Sequence, residues 1–147
     1  FEKIKNILKT MGNPTLVGSS GSGQVAKLCN QIIVGVTIGA VAEAIILCEK
    51  VGINPENFIK AVSGGFADSK ILQNHGCRMV KKDFAPRGKS ITHLKDMDNI
   101  LKCAKDVKTE LPISKLIQNM YQSLVDRGLG NDDHSSLYNE ILHINKK

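Results

Sequence analysis

Apolar residues recur along this chain at three- and four-residue intervals, in blocks closed by glycine, proline or short polar turns. That rhythm predicts packed helices. Phe1, Ile4, Leu8 and Met11 mark a short amphipathic helix that Gly12, Asn13 and Pro14 end. Thr15, Leu16 and Val17 read as a brief strand, and residues 18–23 form a glycine- and serine-rich joint. A long helical pattern then covers residues 22–51, roughly 45 Å at 1.5 Å per residue. Gly52 stops it. Asn54 as N-cap, Pro55 at the first helical position and Glu56 in the first turn start a second helix that ends at Gly64 and Gly65. A third helix is predicted over 68–82, a loop over 83–88, and a fourth helix over 90–107 with Leu94, Met97, Leu101 and Ala104 as its apolar stripe. The fifth starts near Pro112, carries Leu116, Ile117, Met120 and Leu124, and stops at Gly128. A turn over 130–133 leads to a last helix over 135–143. No strand alternates with these helices, so residues 18–147 are expected to form an all-α domain.

The middle of the long helix, 32–42, is apolar apart from Thr37. Glycines interrupt it and Glu43 closes it, which is short for a membrane span. A buried helix is expected, covered by neighbouring helices or by a second subunit. With 147 residues, 41% hydrophobic and 23% charged, the chain is neither disordered nor fibrous. Aromatic residues make up 4% with no Trp, which argues against stacked nucleobases. The net charge of +6 is local: seven basic residues lie between Lys70 and Lys95 against one acid, Asp83. Such clustering points to an anion site or to a solvated basic face. Cys29, Cys48, Cys77 and Cys103 are far apart in sequence and read as reduced, mostly buried thiols of a cytoplasmic protein. His75, His93, His134 and His143 show no metal-ligand spacing, so no metal is expected. The opening Phe-Glu-Lys, without a signal segment, reads as part of a longer protein.

Gly21, Gly23 and Ala26 match the dinucleotide fingerprint GxGxxG/A. The fingerprint needs a βαβ unit with an acid about 20 residues on. Glu43 has that spacing but falls inside the same long helix, so the Rossmann reading is rejected for this segment. The glycines instead let backbone approach something closely at a helix start, where free N–H groups favour anions. Lys27, Asn30 and Gln31 follow at i, i+3 and i+4 on one helical face. A cation and two amides beside a glycine-rich entry suit a small carboxylate or carbonyl compound; the plainer reading is a polar stripe facing solvent. Asp132, Asp133, His134 and Ser135 are too local to form a catalytic triad, and an Asp N-cap on the last helix explains them better. Lys81 and Lys82 read as a solvated helix end that complements the helix dipole.

The run from Gly21 through Gly23, Lys27, Asn30 and Gln31 resembles the active-site helix of the β-hydroxyacid dehydrogenases, a family that includes 3-hydroxyisobutyrate dehydrogenase and tartronate semialdehyde (2-hydroxy-3-oxopropionate) reductase. The likeness continues in order through Ala42-Glu43-Ala44, Val51 to Pro55, Gly64 to Ser69, Asp83 to Pro86, His93 to Asp96 and Gly128 to Ser135. It implies an NAD- or NADP-dependent oxidoreductase whose dinucleotide is bound mainly by an N-terminal Rossmann domain. Residues 1–17 would be the tail of that domain. Residues 18–147 would be an all-α substrate-binding and dimerisation domain of the 6-phosphogluconate dehydrogenase-like type, built on one very long helix. By the same resemblance Lys27 is the catalytic lysine. Asn30, Gln31, Gly23 and Gly64 fall on the substrate side, and Lys95, Phe84 and Asp96 fall near the cofactor. Many members carry Asn-Asn where this chain has Asn30-Gln31, and Asn-Gln is closer to the tartronate semialdehyde reductase branch.

The implied chemistry interconverts a small 3-hydroxy acid and its semialdehyde. Hydride addition to an aldehyde builds negative charge on oxygen, which a lysine ammonium stabilises and protonates. An arginine in its place would be a poor proton donor near neutrality. The expected partners are a small hydroxy acid or semialdehyde and a second copy of the chain, in a homodimer or higher assembly, with neither nucleic acid nor membrane. Two competing readings are a non-catalytic helical oligomerisation module and a helical nucleic-acid binder using the Lys70–Lys95 cluster.

Overall fold

The fold comes from a computed structural model and covers residues 1–146. A 3-10 turn, Glu2–Ile4, runs into α1, Lys5–Lys9, and the long helix α2 spans Ser22–Lys50. α3 is Pro55–Val62, and a π-helical turn, Leu72–Gly76, leads directly into α4, Cys77–Lys81. α5 is Ser90–Asp106. α6, Pro112–Leu124, runs on into a second π-helical turn, Val125–Leu129. A 3-10 turn, His134–Ser136, opens α7, Leu137–Ile144. Among the described residues the only β pairing is one isolated antiparallel bridge between Lys89 and Asp133. The expected strand over 15–17 does not form: the segment has no regular secondary structure, and Leu16 and Val17 stay exposed.

α2 is the spine, packing against α5, α6 and α7. Its start and stop follow the sequence signals. Gly21 takes φ +90° just before the first turn and Gly52 takes φ +80° just after the last, a region of backbone space that glycine enters freely. Asn54 caps α3 through its Oδ1, which accepts from the Asn57 N–H at 3.1 Å, and Pro55 occupies the first helical position. By length and composition α2 is apolar enough to cross a membrane, with a mean hydropathy of 2.1 over its most apolar stretch. One face of it nevertheless forms the core: Ile38, Ala42 and Ile45 are fully buried with Met79, Met97, Tyr121, Leu124 and Leu137. The opposite face leaves Val25, Ile33 and Leu47 exposed.

Close helix approach depends on small residues along the buried face of α2. A Cβ at Gly35 would lie 2.5 Å from Nε2 of His93 on α5, and one at Gly39 would lie 2.7 Å from Cδ1 of Ile117 on α6. α6 and α7 are locked by buried Glu140, which accepts from Ser123 Oγ at 2.8 Å and pairs with Arg127 at 2.6 Å. At the far end of α2, Glu49 accepts from Tyr138 Oη at 2.6 Å and from Lys82 Nζ at 2.8 Å, so Lys82 is tied across the fold and is not a freely solvated helix end. The apolar stripe of α5 is Leu94, Met97, Ile100 and Ala104; Ile100 is buried where Leu101 was expected. All four cysteines are free, but only Cys48 is buried, while Cys29 is exposed and Cys77 and Cys103 are intermediate.

The Gly35 contact sets a stability test. Gly35→Ala should destabilise the chain by about 1–3 kcal/mol, the range for overpacking a core. Gly23→Ala, where an added Cβ meets nothing within 4 Å, should leave stability nearly unchanged. Denaturant midpoints of the two variants check the contrast.

Candidate active site

The polar face of α2 near its N-terminus meets the first turns of α5. Helical spacing places Lys27, Asn30 and Gln31 together, and α5 presents Asp96 to them. Lys27 Nζ donates to Asp96 Oδ1 and forms an ion pair with it. Gln31 Nε2 donates to Asp96 Oδ2 at 2.7 Å, and Asn30 Nδ2 donates to Gln31 Oε1 at 3.1 Å. Each carboxylate oxygen thus has its own donor from α2. The Asp96 side chain is 13% exposed and that of Lys27 48% exposed. Burial pushes the Asp96 carboxyl up, but the hydrogen bonds from Lys27 and Gln31 outweigh it and hold the group below the usual carboxylate range. An ammonium carries three donors. One goes to Asp96, and the open side of Lys27 leaves the others for a ligand.

Placement of α5 depends on the loops before it. Ser90 N–H donates to the Asp132 carbonyl at 2.8 Å, Ile91 N–H to Gly130 at 3.0 Å, and His134 N–H to Gly88 at 2.7 Å. These bonds zip the 83–90 loop to the 130–134 turn. Asp133, fully buried, anchors the seam. Its Oδ1 accepts from Ser135 N–H at 3.1 Å and Ser135 Oγ at 2.6 Å, so the expected N-cap is present. Its Oδ2 accepts from the N–H groups of Arg87 and Gly88, both at 3.1 Å, and lies 2.9 Å from Arg78 Nη1. Burial opposes ionisation of Asp133, but the Ser135, Gly88 and Arg87 donors override it and hold the carboxyl far below its ordinary range.

Lys27, Asn30, Gln31 and Asp96 are therefore brought together. Gly23, one turn earlier on α2, is exposed with open space where a side chain would stand. Lys95 is exposed beside Asp96 on α5. Phe84 lies elsewhere: its ring stacks on Tyr138 at 6.2 Å, and Tyr138 bonds to Glu49 in the last turns of α2, at the opposite end from Lys27. Gly64 gives its N–H to Asp68 at 2.7 Å, and no hydrogen bond among the described residues links it to Lys27, Asn30 or Gln31.

One cluster has no counterpart in the sequence spacing. His75, Asp133 and His134 place ligand-type atoms within 4.8 Å of one another, beside a cleft of ≈ 660 Å³ that Arg78, Lys81 and Arg87 also line. The His134 ring continues to His93 at 5.4 Å, and His93 to Tyr121 at 4.8 Å. Both Asp133 oxygens already accept at least two partners, and the Arg78 guanidinium stands where a cation would be repelled. The cluster therefore serves the seam better than a metal. The three histidines come from separate elements, so no local pattern could have announced them.

Residues 21–141 match the family described as "NAD-binding of NADP-dependent 3-hydroxyisobutyrate dehydrogenase". The chain is 41% identical over 138 residues to 2-hydroxy-3-oxopropionate reductase of Escherichia coli, covering 93% of this chain and 47% of that protein. It is 35% identical over 130 residues to a probable mitochondrial 3-hydroxyisobutyrate dehydrogenase-like protein of Arabidopsis thaliana, covering 88% of this chain and 39% of that one. Among solved structures, 3-hydroxyisobutyrate dehydrogenase from Salmonella typhimurium superposes with a TM-score of 0.87 at 27% identity, over 95% of this chain and 50% of that one. The chain spans about half the length of the curated relatives it matches, or less.

His93 makes the seam between α2 and α5 acid-sensitive. It is 2% exposed and its Nε2 has no hydrogen-bond partner. Burial, aided by His134 and Lys27 and opposed by Asp96, lowers its pKa from 6.5 to about 4. Between those values the unfolded chain binds the proton and the native chain does not, so stability rises with pH across the window. Acidifying from pH 6.5 towards 4 should remove about 3 kcal/mol through His93. His75 and His134, lowered mainly by burial, act in the same direction. Urea midpoints against pH should fall steeply in this window, and His93→Phe should flatten the slope whatever its total stability.

Proposed function

This chain belongs to the NAD-binding 3-hydroxyisobutyrate dehydrogenase family, and on that premise we propose that it is the helical half of an NAD- or NADP-dependent oxidoreductase interconverting a small 3-hydroxy acid and its semialdehyde, with Lys27 as general acid and base. The observation that carries the reading is the Lys27 ammonium, held by Asp96 yet open on its other side. Residues 18–147 are the substrate-binding domain, of the 6-phosphogluconate dehydrogenase-like type, and residues 1–17 the tail of a dinucleotide-binding domain.

The residues present fit a nicotinamide cofactor laid over this face. Lys27 retains free donors, Lys95 is an exposed cation next to Asp96 in the chain, and Gly23 leaves the backbone open to close approach. When bound, the nicotinamide supplies or accepts the hydride. Lys27 then stabilises the oxygen on which charge develops and gives it a proton; in the oxidative direction it takes the hydroxyl proton away. Asn30 and the Gly23 backbone orient the substrate, and Lys95 adds positive potential for a carboxylate or for the cofactor's phosphates. Lys95 and Asp96, consecutive on α5, are the cofactor-side residues of this reading. Gly64, whose N–H is held by Asp68, belongs to the substrate side in this reading, whereas Phe84 supports the domain at the far end of α2 through Tyr138.

The bare side of α2 is the basis for assembly. Ile33, Ile113 and Leu116 are more than half exposed, and Ile32, Ile33, Val36, Leu111 and Pro112 line an apolar groove of ≈ 360 Å³. A second copy of the chain covers this face in the proposed dimer.

In the full-length protein Lys27→Arg keeps a cation opposite Asp96 but removes a titratable proton donor. Reduction of a small semialdehyde should slow by about 10²-fold or more, as for loss of a general acid; turnover near that of the parent protein would exclude Lys27 as donor. Sedimentation at micromolar concentration should show a dimer that Ile33→Glu dissociates.

A further inference from the structure

Gln31 stands on the substrate-facing side of α2, yet its amide is turned elsewhere. The Nε2 group donates to Asp96 Oδ2 at 2.7 Å, and Oε1 accepts from Asn30 Nδ2 at 3.1 Å. Asn30 and Lys27 are both exposed, whereas Gln31 is half-buried between α2 and α5. The other oxygen of the same carboxylate accepts from Lys27. A carboxylate is planar, so fixing one oxygen fixes the direction of the other. Reaching from α2 to α5 takes the full length of a glutamine; asparagine is one methylene, about 1.5 Å, shorter.

We propose that Gln31 is a positioning residue: its amide holds the Asp96 carboxylate so that the opposite oxygen sets the Lys27 ammonium, leaving Asn30 as the amide that meets the substrate. The proposal rests on the reading of Lys27 given above and deepens it. The arrangement explains why a longer amide occupies this position. It also explains how a half-exposed lysine on a solvated helix face keeps one direction. An exposed ion pair alone holds long side chains weakly, whereas a carboxylate with a second, half-buried donor is itself restrained. The charged and titratable groups around Asp96 are Lys27 from α2 and His93 from its own helix, with Lys95 adjacent in the chain. Neither His93 nor Lys95 makes a hydrogen bond that could replace the one from Gln31.

Two variants separate the roles. Gln31→Met keeps the length and removes the amide; Gln31→Glu sets a second carboxylate against Asp96. Titration of the Asp96 carboxyl carbon by NMR in this chain should show a midpoint that rises in Gln31→Met and rises further in Gln31→Glu. The Lys27 side-chain methylene signals should lose dispersion in both. In the full-length protein, Gln31→Met should lower kcat about tenfold, the scale of one hydrogen bond to a charged group, with KM within about twofold of the parent. An Asp96 midpoint unmoved in both variants overturns the proposal, as does a raised KM at unchanged kcat, the mark of a direct substrate contact. A parent protein that reduces no semialdehyde would defeat the proposed function, while the NMR titration would still decide the role of Gln31.

Discussion

α5 lies against α2 with no side chain at Gly35 to separate the helix from His93, and that close approach fixes where Asp96 falls. Asp96 follows His93 by one helical turn, so the depth at which the imidazole sits sets the height of the carboxylate above α2. With α5 further out, Asp96 would meet water, and Lys27 would be one more mobile lysine. The approach is held from both sides. Gly39 admits Ile117 of α6 further along the same face, and the seam between the 83–90 loop and the 130–134 turn clamps the start of α5. Packing, not charge, thus decides the geometry of the charged group.

Two carboxylates show how surroundings divide labour. Asp133 is fully buried, collects four hydrogen bonds from serine and backbone donors, and faces the guanidinium of Arg78. A buried charge so fully satisfied is an anchor, costly to disturb from either partner. Asp96 is partly buried, faces an ammonium that is half in solvent, and has only side-chain donors. Its two oxygens are held from α2 by Lys27 and Gln31, side chains that solvent also reaches. The histidines lie between the two. His93 contacts His134 on the Asp133 side and precedes Asp96 by one turn, so the loop seam and the Lys27–Asp96 pair share one desolvated wall.

Much of the fold was legible because its signals are local. Gly52, Asn54, Pro55 and Pro112 mark helix boundaries through backbone chemistry that needs no tertiary partner, and the observed boundaries follow them. The polar face carrying Lys27, Asn30 and Gln31 was legible for the same reason, since i, i+3 and i+4 spacing fixes it. What escaped depends on distant partners. Ile100 and not Leu101 is buried because α5 packs against both α2 and α6, which turns its inner arc away from the simplest stripe. Tyr121 lies in the core because its hydroxyl finds the His134 carbonyl at 2.9 Å. Thr15–Val17 had the composition of a strand without a neighbour to pair with. The direct link from Gln31 to Asp96 needed the register of two helices that no spacing encodes.

In the proposed reaction Lys27 presents its ammonium to the oxygen of a small hydroxy acid. The most direct measurement is a crystal structure of the full-length protein with a nicotinamide dinucleotide and a small 3-hydroxy acid bound. Lys27 Nζ should lie about 3 Å from the substrate hydroxyl oxygen, within hydrogen-bond reach, with Asp96 still on its other side. A substrate hydroxyl held by other groups, with Lys27 directed into bulk water, would contradict it.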